Sequence, residues 1–514
     1  MEFIDMVAID SKIKTIAELS EISVQLKKEG KSVVLCHGVF DLLHIGHIRY
    51  LNQAREYADV LMVTLTPDQY VDKGPDRPAF PDSLRAEALA SLMETDYVAI
   101  NEWPTAEETL WSIRPDVYAK GDEFKDIDDD PEEKIGMEAK VVKAIGAKLI
   151  FTSDIVFSSS NLINRYLSRN SEELDEYLKM FRKRYALYDV LESLDRIEEL
   201  KVLILGDTII DEYQIASTLG KSSKDPILAL KYQSRELYAG GALVVANHVA
   251  NFAGEVTLLS MLGAEDSHEG FIREKLNPKI IPYFFTRPKA PTTLKRRYID
   301  SYSLSKVMEL YIMNDEPLPK LLEKEICNQI DSLVSGYDLV LVADFGHGFI
   351  TPSIVDILVK KSPYLAVNTQ ANAGNRGFNT IGKFPRLDFF SLAEHELRLE
   401  TRDQTNELRP LLMETGDKLG AKISMVTQGS RGCSLYNPKS EFVKIPSFNS
   451  NVVDRVGAGD ALFSIAALAG CMGLHEELVG FLGNIAGSLA VSIMGNDRAV
   501  SKESMRKYII ASMK

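Results

Sequence analysis

The chain has 514 residues, 45% of them hydrophobic and 26% charged, with a formal net charge of −15 at neutral pH. That length exceeds one hydrophobic core and predicts roughly two to four domains. The acidity argues against nucleic acid or an anionic membrane as the main partner, but leaves open nucleotides held by helix ends and single basic residues.

The first residues, MEFIDMVAIDSK, carry acids and no basic-then-apolar pattern, so no signal peptide is expected and the protein is placed in the cytoplasm. Cys36, Cys327, Cys433 and Cys471 show no CxxC spacing and imply neither a disulfide framework nor a zinc site. The longest apolar stretch, ALFSIAALAGCMGL from Ala461, is too short to span a bilayer and is expected as a buried helix.

In chain order, KSVVLC reads as a buried strand and IRYLNQAREYADVLMV begins with apolar residues at helical spacing. Between them, Asp41-Leu-Leu-His44-Ile-Gly46-His47 sits where a strand turns into a helix. Helix-start N–H groups favour phosphate there. His44 and His47 share one face of the first turn, and Gly46 lets a phosphate approach the backbone. A metal site uses such spacing too, but no Cys, Glu or third His lies near to complete one.

The strands VVLC, VLMVTL, YVAI, VYAKG and KLIFT alternate with amphipathic helices over residues 1–165, which implies an α/β domain with a parallel sheet. Residues 166–198 are highly charged with helical spacing and are expected as a solvated helical connector, whose apolar positions also suit a dimer or interdomain surface. A second α/β pattern fills 199–514: KVLILGDTIIDEY, VTLLSML, DLVLVADF, YLAVNT, LDFFSL and ISMVTQG, then a Gly-rich turn and two buried helices. A polar insert between Tyr213 and Ala239 ends in an alternating strand and suits a small β-flap or a plain hairpin. Near the C-terminus, Asp454-Arg-Val-Gly457-Ala458-Gly459-Asp460 opens an apolar helix: the small residues leave N–H groups open as an anion hole, and Asp460 is placed to accept a hydroxyl proton.

The GVFDLLHIGH segment resembles the signature of the nucleotidylyltransferase superfamily, and residues from about Lys12 to Tyr166 are most similar to the adenylyltransferase half of the heptose-phosphate kinase/adenylyltransferase family, with small cytidylyltransferases more distant. The resemblance implies a Rossmann-like domain in which His44 and His47 stabilise charge on the α-phosphate. Gly38, Phe40 and Gly46 would line the nucleotide site. Lys73 and Arg77 match a basic loop reaching the triphosphate, and Arg85 matches an arginine on the next helix. Lys120, Gly121 and Asp122 match a K-G-D strand end at the pocket mouth, and Ser158, Ser159 and Ser160 a hydroxyl-rich turn holding phosphate. Outside that context SSSN is as readily an N-cap cluster.

The DxxGAGD segment resembles the signature of ribokinase-type (PfkB) sugar kinases, a fold with a small β lid, over roughly Lys201 to Lys507. By that resemblance Asp460 is the base, Gly457, Ala458 and Gly459 the anion hole, Asp211 with Gly240 and Gly241 the sugar contacts, and Thr427, Gly429 and Gly432 the nucleotide floor. Glu396 is implied as an indirect contact to metal. Several positions depart from the family: Val244 stands for an asparagine, Asn368-Thr369-Gln370 for Asp-Pro-Lys, Ala393 for the asparagine of Asn-x-x-Glu, and His347 for a lysine. They imply a reshaped sugar pocket in an active kinase, or a degenerate kinase domain kept for binding or dimerisation.

The family's usual order, kinase first, is reversed here. The joint resemblance implies a bifunctional enzyme that phosphorylates a sugar and joins the phosphate to a nucleotide, releasing pyrophosphate, to make an activated sugar of ADP-heptose type for surface polysaccharide. Expected cofactors are Mg²⁺ and ATP, with CTP the alternative at the N-terminal site. Expected partners are a nucleoside triphosphate and a sugar or sugar phosphate, with no nucleic acid, no membrane, and a homodimer as the default.

Overall fold

The computed structural model describes residues 11–71, 78–121, 134–152, 171–440, 442–448 and 452–513. The chain divides into two compact units, Met1–Arg169 and Asn170–Lys514.

In the first unit, six strands form a parallel sheet in the order Ile13–Lys14, Tyr97–Ile100, Val60–Leu65, Val33–Gly38, Val117–Gly121, Lys148–Thr152. The strands are continuous apolar runs because both faces are covered: Val34 and Cys36 point into one core cluster, Val33 and Leu35 into another. From the central strand Val33–Gly38 the order runs outward in both directions, so its carboxyl end and that of Val117–Gly121 flank the switch point where such sheets hold ligands. The two strand ends carry GVFD-HxGH and Lys120-Gly121.

The second unit is built on a nine-stranded sheet ordered Ile280–Pro291, Glu255–Glu265, Lys201–Gly206, Leu339–Asp344, Leu365–Thr369, Phe389–Ala393, Ile423–Thr427, Cys433–Tyr436, Val443–Ile445. It is parallel up to Ile423–Thr427, and the last two strands are antiparallel. A separate four-stranded sheet, Lys306–Ile312, Leu294–Asp300, Thr208–Lys221, Leu228–Gly241, forms the flap. The polar insert is thus a long hairpin inside a larger flap. Five strands of this unit, Ile280–Pro291, Leu294–Asp300, Lys306–Ile312, Cys433–Tyr436 and Val443–Ile445, carry no sequence expectation. The first holds Pro282, Pro288 and Pro291 and is tolerated because it lies at a sheet edge.

The segment expected as a solvated connector differs most. Its helices Glu172–Arg184 and Leu187–Asp195 bury Leu174, Leu178, Phe181, Val190 and Leu194 in the core of the second unit. The apolar positions expected to suit a dimer or interdomain surface form a stripe that packs into this core. Phe181 is fully buried and stacks on Phe481 with ring centroids 4.1 Å apart. Phe181→Ala is expected to destabilise this unit by about 3–5 kcal/mol, read as a lower denaturant midpoint; a free connector would show no change. No described helix is long and apolar enough to cross a membrane, and the Ala461 stretch is the buried helix Ala458–Cys471.

Candidate active sites

In the N-terminal unit His44 caps the helix Ile45–Arg55: its Nδ1 accepts the Gly46 N–H at 3.0 Å. That bond places the neutral ring's proton on Nε2, making Nε2 a donor. Gly46 gives its N–H to His44 in this structure. The His44 and His47 rings stack with centroids 4.1 Å apart, and Phe40 tilts against His47 at 5.4 Å. Phe40 has a left-handed backbone (φ 50°), and its ring lies where a Cβ on Gly38 would come to 3.2 Å. Burial pulls the His44 pKa below its ordinary value, which keeps the ring neutral around neutral pH.

Arg85 is also reassigned. Its guanidinium is buried and donates to Phe80 O at 2.9 Å, Thr66 O at 2.9 Å, Asp68 Oδ1 at 2.6 Å and Val39 O. A group with that many protein acceptors ties the two loops above the sheet together; it does not stand open to a triphosphate. Asp41 works alongside, accepting the Ala79 N–H.

Lys120 pairs with Glu138 at 2.8 Å, and Tyr118 donates to the same carboxylate at 2.9 Å. Burial pushes Glu138 up, but Lys120 and His37 outweigh it and hold its pKa below the usual value. His37 itself is pushed down to about 4 by burial and by Lys120, and its Nδ1 meets Thr64 Oγ1 at 3.0 Å. Glu138, Tyr118 and His37 had no sequence expectation; a buried acid within an amphipathic helix was the available signal. Lys73, Arg77, Asp122, Ser158, Ser159 and Ser160 lie outside the described residues.

In the C-terminal unit Gly457 (φ 82°) precedes the helix Ala458–Cys471, and among the described residues no side chain caps that helix start. A Cβ on Gly457 would collide with Asn496 Oδ1 at 1.7 Å, whereas one on Gly459 would meet nothing within 4 Å. The helix therefore opens onto space with its first N–H groups uncommitted to a cap. Asp460, half-buried in its first turn, is pushed up to about 7 by burial, then by the charges of Asp211 and Glu396, with Lys295 opposing.

Asp211 is buried and paired with Arg297, which also holds Glu309 at 2.8 Å. Gly240 is required by packing, since a Cβ there would sit 2.3 Å from Asp211 Oδ2. Gly240→Ala is expected to cost about 1–3 kcal/mol by overpacking, read in a denaturant melt, and to displace Asp211. Gly241 has φ 60°, and a Cβ there would sit 2.4 Å from Asp207 O.

Glu396 spends its carboxylate on the Ala371 N–H (2.9 Å) and the Ala393 N–H (2.7 Å), where it caps a helix. Among the described residues no cluster of three or more His, Cys, Asp or Glu is arranged to hold a metal. Gly432 (φ 84°) serves the tight turn between strands, since a Cβ would sit 2.0 Å from Ile445 O. Gly429 (φ 58°) starts that turn, and Thr427 lies at the preceding strand end, its Oγ1 3.5 Å from Leu392 O.

Two further residues had no sequence expectation. Asp207 accepts the N–H groups of Phe345, His347 and Phe349 at 2.9, 3.2 and 3.1 Å, and so sets the loop carrying His347. Lys295 is buried with its ammonium over the Tyr311 ring at 5.0 Å.

Comparison with known proteins divides along the same two units. A family model described as cytidylyltransferase-like matches residues 35–165, and one described as pfkB family carbohydrate kinase matches residues 384–502. The bifunctional protein HldE of a Nitratiruptor species is 44% identical over 115 residues, 22% of this chain and 25% of that protein. The bifunctional protein HldE of Haemophilus influenzae is 24% identical over 313 residues, 60% of this chain and 63% of that protein. The alignments thus span between 25% and 63% of these curated relatives. Phosphofructokinase-2 from Escherichia coli, solved with substrates and products, is 14% identical with a TM-score of 0.50, covering 61% of this chain and 100% of that one. At that identity the likeness shows the fold alone.

Proposed function

We propose, for a chain that joins an N-terminal cytidylyltransferase-like domain to a C-terminal pfkB-type carbohydrate kinase domain, a cytoplasmic bifunctional enzyme that phosphorylates a sugar and then couples a sugar phosphate to a nucleotide. The observation that carries the reading is the uncapped helix start at Gly457–Asp460, with the half-buried carboxylate beside it. It supports an active kinase over a degenerate one despite the substitutions at Val244, Asn368-Thr369-Gln370 and Ala393.

In the kinase reaction Asp460 takes the proton of a sugar hydroxyl as its oxygen attacks the γ-phosphorus of ATP, the bond from that phosphorus to the β–γ bridging oxygen breaks, and ADP leaves. The 458–460 N–H groups stabilise the charge that develops. In the second reaction a phosphate oxygen of the sugar phosphate attacks the α-phosphorus of a nucleoside triphosphate and pyrophosphate leaves. His44 and His47 supply hydrogen-bond donation to the α-phosphate. Mg²⁺, when bound, would neutralise triphosphate charge.

The likeness to HldE proteins, together with the sequence resemblance, supports an ADP-activated heptose-like product for surface polysaccharide. The cytidylyltransferase-like match favours CTP as the second reading. Pyrophosphate release by the full chain with Mg²⁺, comparing ATP and CTP against sugar and polyol phosphates, tests both. Turnover with ATP and a heptose 1-phosphate supports the first, turnover with CTP the second, and silence with every pair overturns the nucleotidylyltransferase reading.

A further inference from the structure

Asp454, the first acid of DxxGAGD, is buried and bonded from two sides. It accepts the Val456 N–H of the turn at 3.1 Å and the Gly495 N–H, from the segment after the helix Glu476–Ala490, at 3.2 Å. From the flap it accepts the Tyr213 hydroxyl at 2.6 Å and the Lys306 ammonium at 2.7 Å.

The two flap donors come from different strands. Tyr213 lies on Thr208–Lys221, two residues beyond Asp211 and therefore on the same face of that strand. Lys306 opens the strand Lys306–Ile312 at the flap's edge. Its ammonium lies 5.3 Å from the Tyr213 ring centroid, and Arg297, the partner of Asp211, lies 5.9 Å from the same ring. A continuous run of charged and aromatic contacts thus leads from the proposed sugar contact, Asp211, through Arg297 and Tyr213 to Asp454. On the far side, Val456 immediately precedes Gly457, and Asn496, next to Gly495, packs where a Gly457 side chain would lie.

We propose that Lys306 and Tyr213 are positioning residues: by holding Asp454 they couple the flap to the Gly457–Asp460 turn, so that the turn presents its N–H groups and the Asp460 carboxylate correctly only while the flap is seated. This rests on the kinase reading of the C-terminal unit. Neither residue touches the reacting atoms. A lysine or a buried tyrosine used only for packing would have no need to converge on one carboxylate that also holds the turn. The arrangement ties occupancy of the sugar side to readiness of the phosphoryl side, which disfavours transfer to water when the sugar is absent.

The test uses the full chain carrying Lys306→Met, Lys306→Arg or Tyr213→Phe. Amide hydrogen exchange without any ligand is expected to rise about tenfold or more across 452–459 and at Gly495 in Lys306→Met and Tyr213→Phe. Protection of the interior strand Lys201–Gly206 should stay unchanged, and Lys306→Arg should behave nearly as the parent. With ATP and a panel of free and phosphorylated aldoses, kcat for ADP formation should fall about ten- to a hundredfold with KM for ATP changed less than about threefold. Pyrophosphate release by the N-terminal unit should be untouched. Unchanged exchange at the turn overturns the proposal, as does loss of protection throughout the second unit, which would make the two residues merely structural. If the parent chain phosphorylates no sugar in the panel, the kinase reading fails on its own, while the exchange result still decides whether flap and turn are coupled.

Discussion

Replacement of Asp460 by asparagine is expected to lower sugar phosphorylation by about a thousandfold or more while leaving pyrophosphate release by the N-terminal unit intact. The amide keeps the shape and the place in the first helical turn, but it has no basic oxygen for the hydroxyl proton. In the parent chain the carboxyl titrates at about 7 because burial and the charges of Asp211 and Glu396 disfavour its ionised form. The base is active only when ionised, so the rate should rise with pH through about 7 and level off above it.

The same shift makes a stability prediction with a fixed sign. Asp460 holds a proton in the folded state between its ordinary value and about 7, where the unfolded chain has already released it. The folded state binds more protons there, so this group's contribution to stability falls as pH rises through that window. Asp460→Asn should therefore melt higher than the parent above neutrality and differ least in acid. A flat pH–rate profile, or a variant that keeps activity, would remove Asp460 from its role as base.

The second large effect is expected at His44. His44→Ala should reduce pyrophosphate release by about a hundred- to a thousandfold, with sugar phosphorylation as the internal control. Alanine removes two things at once, since the imidazole also caps the helix through the Gly46 N–H. A lost cap alone costs about 1 kcal/mol of stability. His44→Asn separates the two, because asparagine is a good N-cap and carries no imidazole. If the histidine acts on the α-phosphate, His44→Asn should be nearly as slow as His44→Ala while melting like the parent. If the ring only caps the helix, His44→Asn should restore the rate. Because burial keeps the ring neutral and the Gly46 bond places its proton on Nε2, the rate is not expected to fall as pH rises above neutrality.

Much of the N-terminal unit was legible because its signals are local. Five apolar strands and the turn into the His44 helix each declare themselves within a dozen residues, since a strand covered on both faces must be apolar throughout. The Gly457–Asp460 turn was legible for a similar reason: small residues before an acid leave few uses other than a close approach to the backbone. The flap was only half legible. Its hairpin alternates visibly, but Lys306–Ile312 is largely exposed and carries no clear period; in the main sheet the edge strand Ile280–Pro291 is broken by prolines.

What the sequence by itself determined, then, is the α/β class of both units, the His44–His47 pair, and Asp460 behind its small-residue turn. These follow from periodicity and from the conformational demands of particular residues. Only the tertiary structure decided the rest, because charge pairing joins residues far apart in the chain. It turned Arg85 from a phosphate ligand into a loop tie, gave Lys120 its partner Glu138, and set Asp454 between Tyr213 and Lys306. It also moved residues 172–195 from a solvated connector into the core of the second unit. A buried charge must find its counter-charge or hydrogen bonds wherever the fold supplies them, and no local pattern records where that is.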